Sequence, residues 1–261
     1  MRFTKMEGLG NDYIYLNCLE GEPEDLPGLA VRLSDRHFGV GADGLICVKP
    51  GMAGDFTMEM YNADGTRGAM CGNGIRCVGK YVYDRGLTRK TCLTIDTDAG
   101  PRGLELHVLG TQVDRVTVDM GAVQVGTPVA VETAGERFTV ILVDAGNPHG
   151  VIFCSDPDEI ALEQLGPLLE NHPALGERRN IELVSCPSRE RLKIRVWERG
   201  SGITLACGTG ACAVFGAALA EKRCGERVEA ELPGGILALE RRGEHIFMTG
   251  PARTVFEGEM E

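Results

Sequence analysis

Tyr61-Asn62-Ala63-Asp64-Gly65 and Met70-Cys71-Gly72-Asn73-Gly74 are two segments that return, in similar form, later in the chain. There they read Trp197-Glu198-Arg199-Gly200-Ser201 and Ala206-Cys207-Gly208-Thr209-Gly210. The two cysteines lie 136 positions apart (207 − 71). The pattern predicts a duplicated unit with a cysteine at the same structural position in each copy.

The same offset relates other residues of the two halves, so the register continues over most of a half-chain. It pairs Gly10-Asn11 with Gly146-Asn147, Val48 with Val184 and Val78 with Val214. A chain of 261 residues is long enough for two domains of about 130 residues each. We expect an N-terminal domain at 1–115, to which the tail at about 252–261 could return, and a C-terminal domain at 116–251.

Composition and charge narrow the class of protein. The hydrophobic fraction of 43% and the charged fraction of 25% are ordinary for a soluble globular protein. The net charge is −11, and no stripe of Lys or Arg is present, so we expect no nucleic-acid partner. No run of about 18 apolar residues and no signal peptide is recognisable, which predicts a cytoplasmic protein without a membrane partner.

The ten cysteines do not form a pattern typical of disulfide or metal frameworks. No Cys-x-x-Cys pair occurs, and the closest spacings, Cys71 to Cys77 and Cys207 to Cys212, match no standard zinc site. In a reducing compartment most of them are expected to be small buried hydrophobes. We therefore predict no metal site.

Hydrophobic periodicity predicts the elements around each cysteine. Residues 55–61 and 191–196 alternate apolar and polar side chains, which indicates two half-buried strands. After Cys71 the apolar residues Ile75, Val78 and Val82 fall at helical spacing, and 211–219 is apolar on nearly every side. Each cysteine is thus predicted to lie at a helix N-terminus.

The fold class that we predict is α+β with mostly antiparallel sheet. Strict alternation of strand and helix, which a parallel sheet requires, is missing from the pattern. A helix that is apolar all round must be enclosed, so each helix is expected to be the centre of a curled, barrel-like sheet. The two domains would be pseudo-symmetric, with an active site in the cleft between them.

A thiol at a helix N-terminus faces unpaired backbone N–H groups and the positive end of the helix dipole, which favour the thiolate. The glycines that follow each cysteine leave those amides open to a carboxylate. If the copies face each other, one sulfur could remove an α-proton while the other delivers a proton from the opposite side. This arrangement suits inversion of a stereocentre without a cofactor.

Each of these residues also has a purely structural interpretation. A lone cysteine before a glycine-rich helix start is more often a packing residue, but two at a constant offset favour catalysis. His149 could be a capped core histidine and Glu198 a solvated acid. Because both lie beside the repeated polar motifs, they are candidates for tuning the pKa values of the thiols.

With these motifs the sequence resembles the diaminopimelate epimerase family over nearly its whole length. The resemblance is carried by Asn62-x-Asp64-Gly65-Thr66, Cys71-Gly72-Asn73-Gly74-x-Arg76, Trp197-Glu198-Arg199-Gly200, Ala206-Cys207-Gly208-Thr209-Gly210, Lys5-Met6-x-Gly8-Leu9-Gly10-Asn11-Asp12 and Gly146-Asn147-Pro148-His149. It implies a cofactor-independent enzyme that interconverts LL- and meso-diaminopimelate, a small-molecule substrate, for lysine and peptidoglycan synthesis. A homodimer is compatible with it.

The resemblance also implies roles for individual residues. Cys71 would donate and Cys207 would accept the proton in the LL-to-meso direction. The backbones of Gly72, Asn73, Gly208 and Thr209 would hold the reacting carboxylate, and Glu198 with the Arg199 carbonyl would receive the reacting ammonium. The distal end of the substrate would be held by Asn11, Asn62, Asn147, Asn180 and the Arg199 side chain.

Four positions depart from the family pattern. Gly44 stands where some members carry a glutamine that reaches the substrate, so one contact would be absent or supplied by water. Glu7 replaces a frequent histidine, Ile203 a frequent acid and Thr66 a serine. These changes affect fine specificity and rate more than the type of reaction.

Two alternatives remain open on the sequence. A related two-cysteine racemase of proline or hydroxyproline would leave Arg199 and the asparagines without a distal partner. A thiol redox or metal-binding protein would use the numerous cysteines, and tightly bound stoichiometric zinc would favour it.

Overall fold

The computed structural model describes residues 1–260, which contain 18 β-strands, four α-helices and two short 3₁₀ turns. The strands are β1 (Arg2–Gly8), β2 (Asn11–Asn17), β3 (Gly44–Pro50), β4 (Phe56–Asn62), β5 (Arg67–Gly68), β6 (Cys92–Asp96), β7 (Arg102–Leu109), β8 (Gln112–Asp119), β9 (Gln124–Thr133), β10 (Glu136–Asp144), β11 (Pro148–Phe153), β12 (Asn180–Ser188), β13 (Arg191–Glu198), β14 (Gly202–Thr204), β15 (Arg227–Leu232), β16 (Gly235–Arg242), β17 (His245–Pro251) and β18 (Arg253–Glu259). The helices are α1 (Leu26–Ser34), α2 (Gly72–Asp84), α3 (Leu162–Glu170) and α4 (Gly208–Ala220).

The chain forms two compact units, and the first comprises Met1–Asp119 and the segment from Thr249 onward. In this unit β18, β1, β2, β3, β4, β6, β7 and β8 pair in that order, with β5 added to β4. The β2–β3 and β4–β6 pairs are parallel and the others are antiparallel. The sheet is thus mixed but mostly antiparallel.

The second unit is Met120–Met248, and the pairing order of its strands β9 to β16 matches that of β18 and β1 to β7 in the first unit. Here β9, β10, β11, β12, β13, β15 and β16 follow one another, with β14 added to β13. The parallel pairs are β11–β12 and β13–β15, the counterparts of those in the first unit. The predicted α+β class with two similar, mostly antiparallel halves is confirmed.

The duplication is visible at the level of single residue pairs. Leu45 of β3 pairs with Tyr61 of β4, and Ile181 of β12 pairs with Trp197 of β13. Tyr13 pairs with Gly44 in the first unit, and His149 pairs with Asn180 in the second. Since every partner is shifted by 136 positions, the sequence register is also the structural register.

Each unit has one helix at its centre. In α2 the predicted apolar face, Ile75, Val78 and Val82, is fully buried, and the helix packs on β1, β2, β7, β8 and β18. In α4 every residue from Ala211 to Ala218 is buried, and the helix packs on β9 to β13 and β16. An all-apolar helix is stable in water only when it is enclosed in this way.

The other helix of each unit covers a second hydrophobic cluster. Leu29 and Leu33 of α1 pack with residues of β2 and β3, and Leu165 and Leu169 of α3 pack with residues of β10 to β12. The start of α1 is fixed by Asp25, whose side chain accepts the backbone N–H of Gly28 at 2.8 Å.

The limits of the compact units differ slightly from the domain limits expected from the sequence. The first break follows Asp119, where 115 was expected, and the second falls between Met248 and Thr249, within β17. That the two units are separate functional domains stays a prediction.

Candidate active site

Both repeated cysteines are N-caps of the central helices. Cys71 has φ −127° and ψ 119°, and Cys207 has φ −120° and ψ 115°. Each Sγ accepts the backbone N–H three residues later, from Gly74 and from Gly210, at 3.3 Å in both cases. The backbone around the two thiols is therefore the same within a few degrees, and each sulfur is held at the positive end of a helix.

In the first unit the Cys71 thiol has a polar neighbour on β2. The thiol donates to Oδ1 of Asn11 at 3.1 Å. Tyr13 also faces this thiol, and burial, followed by the charge of Cys71, raises the pKa of Tyr13 well above its usual value. The Tyr13 hydroxyl therefore stays protonated and can serve as a hydrogen-bond donor beside the sulfur.

Asn11 is fixed by a network of charged side chains. Its Nδ2 donates to Asp43 at 2.8 Å, and the same carboxylate accepts the backbone N–H of Asp12. Arg36 binds both Asp12 and Asp43, at 2.9 and 3.0 Å. Because the amide oxygen of Asn11 is left for Cys71, the network determines which end of the amide faces the thiol.

Two further predicted residues of the first unit lie close to this network. Asn62, at the end of β4, donates through Nδ2 to Thr66 Oγ1 at 3.0 Å, and the next residue, Ala63, donates its N–H to the Asp43 carbonyl. Asn73 is buried in the first turn of α2, directly after Gly72. Asn11 therefore contacts Cys71 directly, Gly72 and Asn73 follow it in the chain, and Asn62 lies next to a residue that bonds to Asp43.

Gly44 is required by the backbone at its position. A Cβ atom there would lie 2.1 Å from the carbonyl oxygen of Tyr61 and 2.9 Å from the Tyr13 ring. A glutamine at this position would therefore have no room in this chain. Of the other departures, Glu7 accepts the backbone N–H of Gly10 at 2.9 Å, and Ile203 is partly exposed on β14.

We expect Gly44→Gln to destabilise the protein by about 1–3 kcal/mol, because β3 and β4 would have to separate to admit the side chain. Thermal unfolding measures the effect. Gly103→Gln is the matched control, since the nearest atom to a Cβ at Gly103 of β7 is 3.8 Å away. If Gly44→Gln unfolds at the same temperature as Gly103→Gln, the close packing around Gly44 is contradicted.

In the second unit the Cys207 thiol is buried, with only 6% of the residue exposed. Besides the Gly210 amide, its sulfur lies 3.4 Å from Thr209 Oγ1. Burial raises the pKa of Cys207 well above its usual value, and the carboxylates of Glu198 and Glu182 raise it further. The Thr209 and Gly210 hydrogen bonds act in the opposite direction but are the smaller effects.

His149 lies between an amide and a carboxylate in the interior of the second unit. Its Nδ1 is 2.7 Å from Oε1 of Glu182, and its Nε2 is 3.0 Å from Oδ1 of Asn147. The side chains of His149 and Glu182 are both fully buried. This pair is the main polar feature beneath the N-terminus of α4.

Glu198 is the last residue of β13, and Arg199 follows it. The Glu198 carboxylate accepts from Thr204 Oγ1 at 2.5 Å, and burial raises the pKa of Glu198 more than this bond lowers it. The backbone N–H of Arg199 is held by Asn180 Oδ1 at 2.9 Å, and its exposed side chain donates to the carbonyl of Arg178. Asn180 therefore fixes the turn that presents Glu198.

Sequence reasoning missed two residues of these sites, Tyr13 and Glu182. The repeat offset pairs Tyr13 with His149, a predicted site residue, so it could have indicated Tyr13. It pairs Glu182 with Ile46, a buried residue of β3, and so gives no signal for Glu182.

Among residues 1–260 no cluster of three or more His, Cys, Asp or Glu side chains suited to a metal ion is found. Within the same range, none of the helices is both long and apolar enough to cross a bilayer.

Comparison with known proteins identifies the family to which these paired motifs belong. The family model for diaminopimelate epimerase matches residues 3–126 and 141–255. The chain belongs to the diaminopimelate epimerase family. Its members include a diaminopimelate epimerase of Acetivibrio thermocellus that is 46% identical over 276 positions, covering 100% of this chain and 99% of the relative. Another, from Methanococcus maripaludis, is 43% identical and covers 100% of both chains.

Solved structures of other enzymes share the fold of this epimerase family member. A hydroxyproline epimerase from Agrobacterium vitis superposes with a TM-score of 0.75 at 15% identity, over 99% of this chain and 90% of that one. A phenazine biosynthesis protein of the PhzF family from Bacillus anthracis gives a TM-score of 0.73 at 17% identity, over 100% and 99%. At these identities the likeness concerns the fold alone.

Proposed function

We propose that the protein interconverts LL- and meso-diaminopimelate, with Cys71 and Cys207 as the acid and base and no cofactor in the proton transfer. The observation that carries the proposal is the pair of cysteine N-caps with matching backbone angles, one in each repeat of a diaminopimelate epimerase family member. Both sulfurs are held in place by backbone amides, so neither needs to reorganise when the reaction begins.

The proton transfer balances within the two thiols and the substrate. In the LL-to-meso direction the Cys207 thiolate takes the α-proton, so an S–H bond forms as the C–H bond breaks. The electron pair left on the α-carbon is delocalised into its carboxylate. The Cys71 thiol then gives its proton to the opposite face of the carbon, and the protonation states of the two sulfurs are exchanged.

Charge that develops on the reacting carboxylate needs hydrogen-bond donors. The first backbone N–H groups of α2 and α4 have no partners within their helices, and they belong to Gly72, Asn73, Gly208 and Thr209. We assign the reacting carboxylate to these amides, because helix N-termini bind anions through them and through the helix dipole.

The remaining substrate groups are assigned by their charge. The ammonium at the reacting carbon would lie on Glu198, a half-buried carboxylate, and on the carbonyl of Arg199. The distal amino-acid end would be bound by Asn11, Asn62, Asn147, Asn180 and the Arg199 guanidinium. A guanidinium can hold a carboxylate through two parallel hydrogen bonds, which suits a substrate with a second carboxylate.

The test of the proposed function is incubation of the purified protein with LL-diaminopimelate and chromatographic measurement of the meso product. Parallel assays with L-proline and trans-4-hydroxy-L-proline test the alternative substrates. Turnover of an imino acid without turnover of diaminopimelate would contradict the proposal.

Arg199→Lys is expected to raise KM for diaminopimelate by about tenfold with a smaller effect on kcat, because an ammonium cannot reproduce the planar two-point grip. Steady-state kinetics measures both constants. Arg191→Lys is the matched control, since Arg191 begins β13, the strand that ends just before Arg199, is exposed and pairs with Glu231. An unchanged KM for Arg199→Lys would mean that this side chain does not bind substrate.

We further propose that the enzyme acts in the cytoplasm, on the route to lysine and peptidoglycan, and that it forms a homodimer. The acidic composition and the biosynthetic function of the family support the first statement. Light scattering of the purified protein tests the second, and a mass of one chain at assay concentrations would contradict it.

A further inference from the structure

Glu182 is a buried carboxylate for which the reaction described above has no use. It lies on β12, its side chain is fully buried, and Oε1 is 2.7 Å from Nδ1 of His149. Within residues 1–260, its other oxygen, Oε2, has no hydrogen-bond partner. A buried carboxylate oxygen without a hydrogen bond lowers the stability of the fold, which suggests that Glu182 has a functional role.

The carboxylate of Glu182 lies against the first turn of α4, close to the Cys207 thiol. A Cβ atom added to Gly210 would be 2.7 Å from Glu182 Oε1 and 3.3 Å from Cys207 Sγ. Because both distances are measured from the same Cβ position, Glu182 Oε1 and Cys207 Sγ are no more than 6.0 Å apart. At this distance a charge on one group affects ionisation of the other.

The corresponding place in the first unit holds a hydrocarbon. The repeat offset pairs Glu182 with Ile46, and a Cβ atom added to Gly74 would be 2.7 Å from Ile46 Cδ1. The same offset pairs Glu198 with Asn62 and His149 with Tyr13. Two thiols with the same backbone geometry thus have different electrostatic surroundings.

The titratable groups that face Cys207 come from three strands packed on α4. They are His149 of β11, Glu182 of β12 and Glu198 of β13. The other strands packed on α4 carry Glu132, Glu136, Arg137 and Asp144, which are exposed, and Glu240, Arg241 and Arg242 of β16, which form ion pairs. Among charged groups, Glu198 and then Glu182 raise the pKa of Cys207 most.

We propose that Glu182 is a positioning residue of the Cys207 site: it anchors the His149 ring through Oε1, and it places a negative charge beside the Cys207 thiol where the first unit has a hydrocarbon. The structural support is the difference between the repeats, a carboxylate in one and an isoleucine in the other, at the same point beneath the helix N-terminus.

This difference between the repeats fits the roles of Cys207 as proton acceptor and Cys71 as proton donor in the LL-to-meso direction. This part of the inference rests on the proposed function. A thiol that binds its proton tightly is the stronger base once ionised, which suits the group that removes an α-proton. A thiol that releases its proton more readily suits the donor. When the substrate ammonium approaches Glu198, its positive charge offsets one of the carboxylates and favours the Cys207 thiolate.

The test compares Cys207 ionisation in the wild-type protein and in Glu182→Gln. Thiolate absorbance near 240 nm is followed with pH, and the signal of Cys207 is obtained by subtracting the Cys207→Ala protein in each background. Glutamine keeps the size of the side chain and an acceptor for His149 but removes the charge, so the pKa of Cys207 should fall. At a fixed alkaline pH below the midpoint, the Cys207 thiolate fraction should rise about tenfold.

Two further variants separate charge from position. Glu182→Asp keeps the charge but withdraws it from the His149 ring, so its Cys207 titration should stay near that of the wild type while kcat falls. Glu59→Gln removes a carboxylate of the first unit that pairs with Lys49 and Arg67, and it should leave the titration of Cys207 unchanged. Circular dichroism confirms the fold of each variant over the pH range used.

A Cys207 titration in Glu182→Gln that is unchanged, or displaced to higher pH, would overturn the inference. The titration needs no substrate, so it is independent of the epimerase assay. If the wild-type protein shows no epimerase activity but Glu182→Gln lowers the pKa of Cys207, the role of Glu182 stands and the proposed function fails. If the protein is an active epimerase but the titration of Cys207 does not change in Glu182→Gln, the proposed function stands and the role of Glu182 fails.

Discussion

Cys71→Ala and Cys207→Ala are each expected to lower the rate of epimerisation by about 10³-fold or more, because each removes one side of a two-sided proton transfer. The fold should survive. Alanine loses the cap hydrogen bond from the Gly74 or Gly210 amide, which costs about 0.5–2 kcal/mol, and the contact with Asn11 or Thr209. Activity comes from the LL-to-meso assay and stability from thermal unfolding.

Serine separates the cap from the chemistry at the same two positions. A serine hydroxyl is a good N-cap, so the Ser variants should unfold at or above the temperature of the Ala variants. Their activity should stay severely reduced, since an alkoxide is far less accessible than a thiolate at neutral pH. Cys77→Ala and Cys212→Ala are matched controls, because these residues are buried within the same helices, and both should keep most activity. Full activity in Cys71→Ala or Cys207→Ala would disprove the two-thiol assignment.

Reaction in heavy water should give product that carries deuterium at the inverted carbon from the earliest turnovers, while recovered substrate stays largely protonated. The thiol that delivers the proton exchanges with solvent before substrate binds, so it carries a deuteron. The proton just removed remains on the other sulfur and cannot return to the opposite face. Mass spectrometry of both stereoisomers at low conversion measures the two labels.

A single base that moves between the two faces would give a different result. It would often return the original proton, and much of the early product would then be unlabelled. Substantial unlabelled product at low conversion would exclude the two-thiol mechanism, whichever residues are involved. Glu59→Gln serves as the control here too, because its labelling should equal that of the wild type.

Most of the architecture could be predicted because the sequence repeats itself. An apolar run such as Ala211 to Ala218 has no solvent-facing side, so it had to be a central helix, and its counterpart α2 followed from the offset. The order of the strands was less accessible. The pairing of β18 with β1 joins residues more than 240 positions apart, such as Phe3 and Gly258, and local periodicity contains no information on such contacts.

Those residues of the candidate site that belong to sequence motifs could be predicted, and the others could not. Cys71 and Cys207 were found from the glycines that follow them, and the structure shows both as N-caps, while their catalytic roles stay predictions. Glu182 was missed because it lies within the buried segment Ile181 to Ser185 and belongs to no motif. Only the structure, in which Glu182 Oε1 contacts the His149 ring and lies beside Gly210, shows that its charge is close to a helix N-terminus.

The position of β18 has a consequence for how the protein is made. The second unit is continuous, Met120–Met248, so all of it is synthesised before β18. The first unit includes Met1, yet β18 at Arg253–Glu259 covers the edge of β1, with Arg2 opposite Glu259. Its sheet therefore cannot be completed until β18 has been synthesised, after the whole of the second unit.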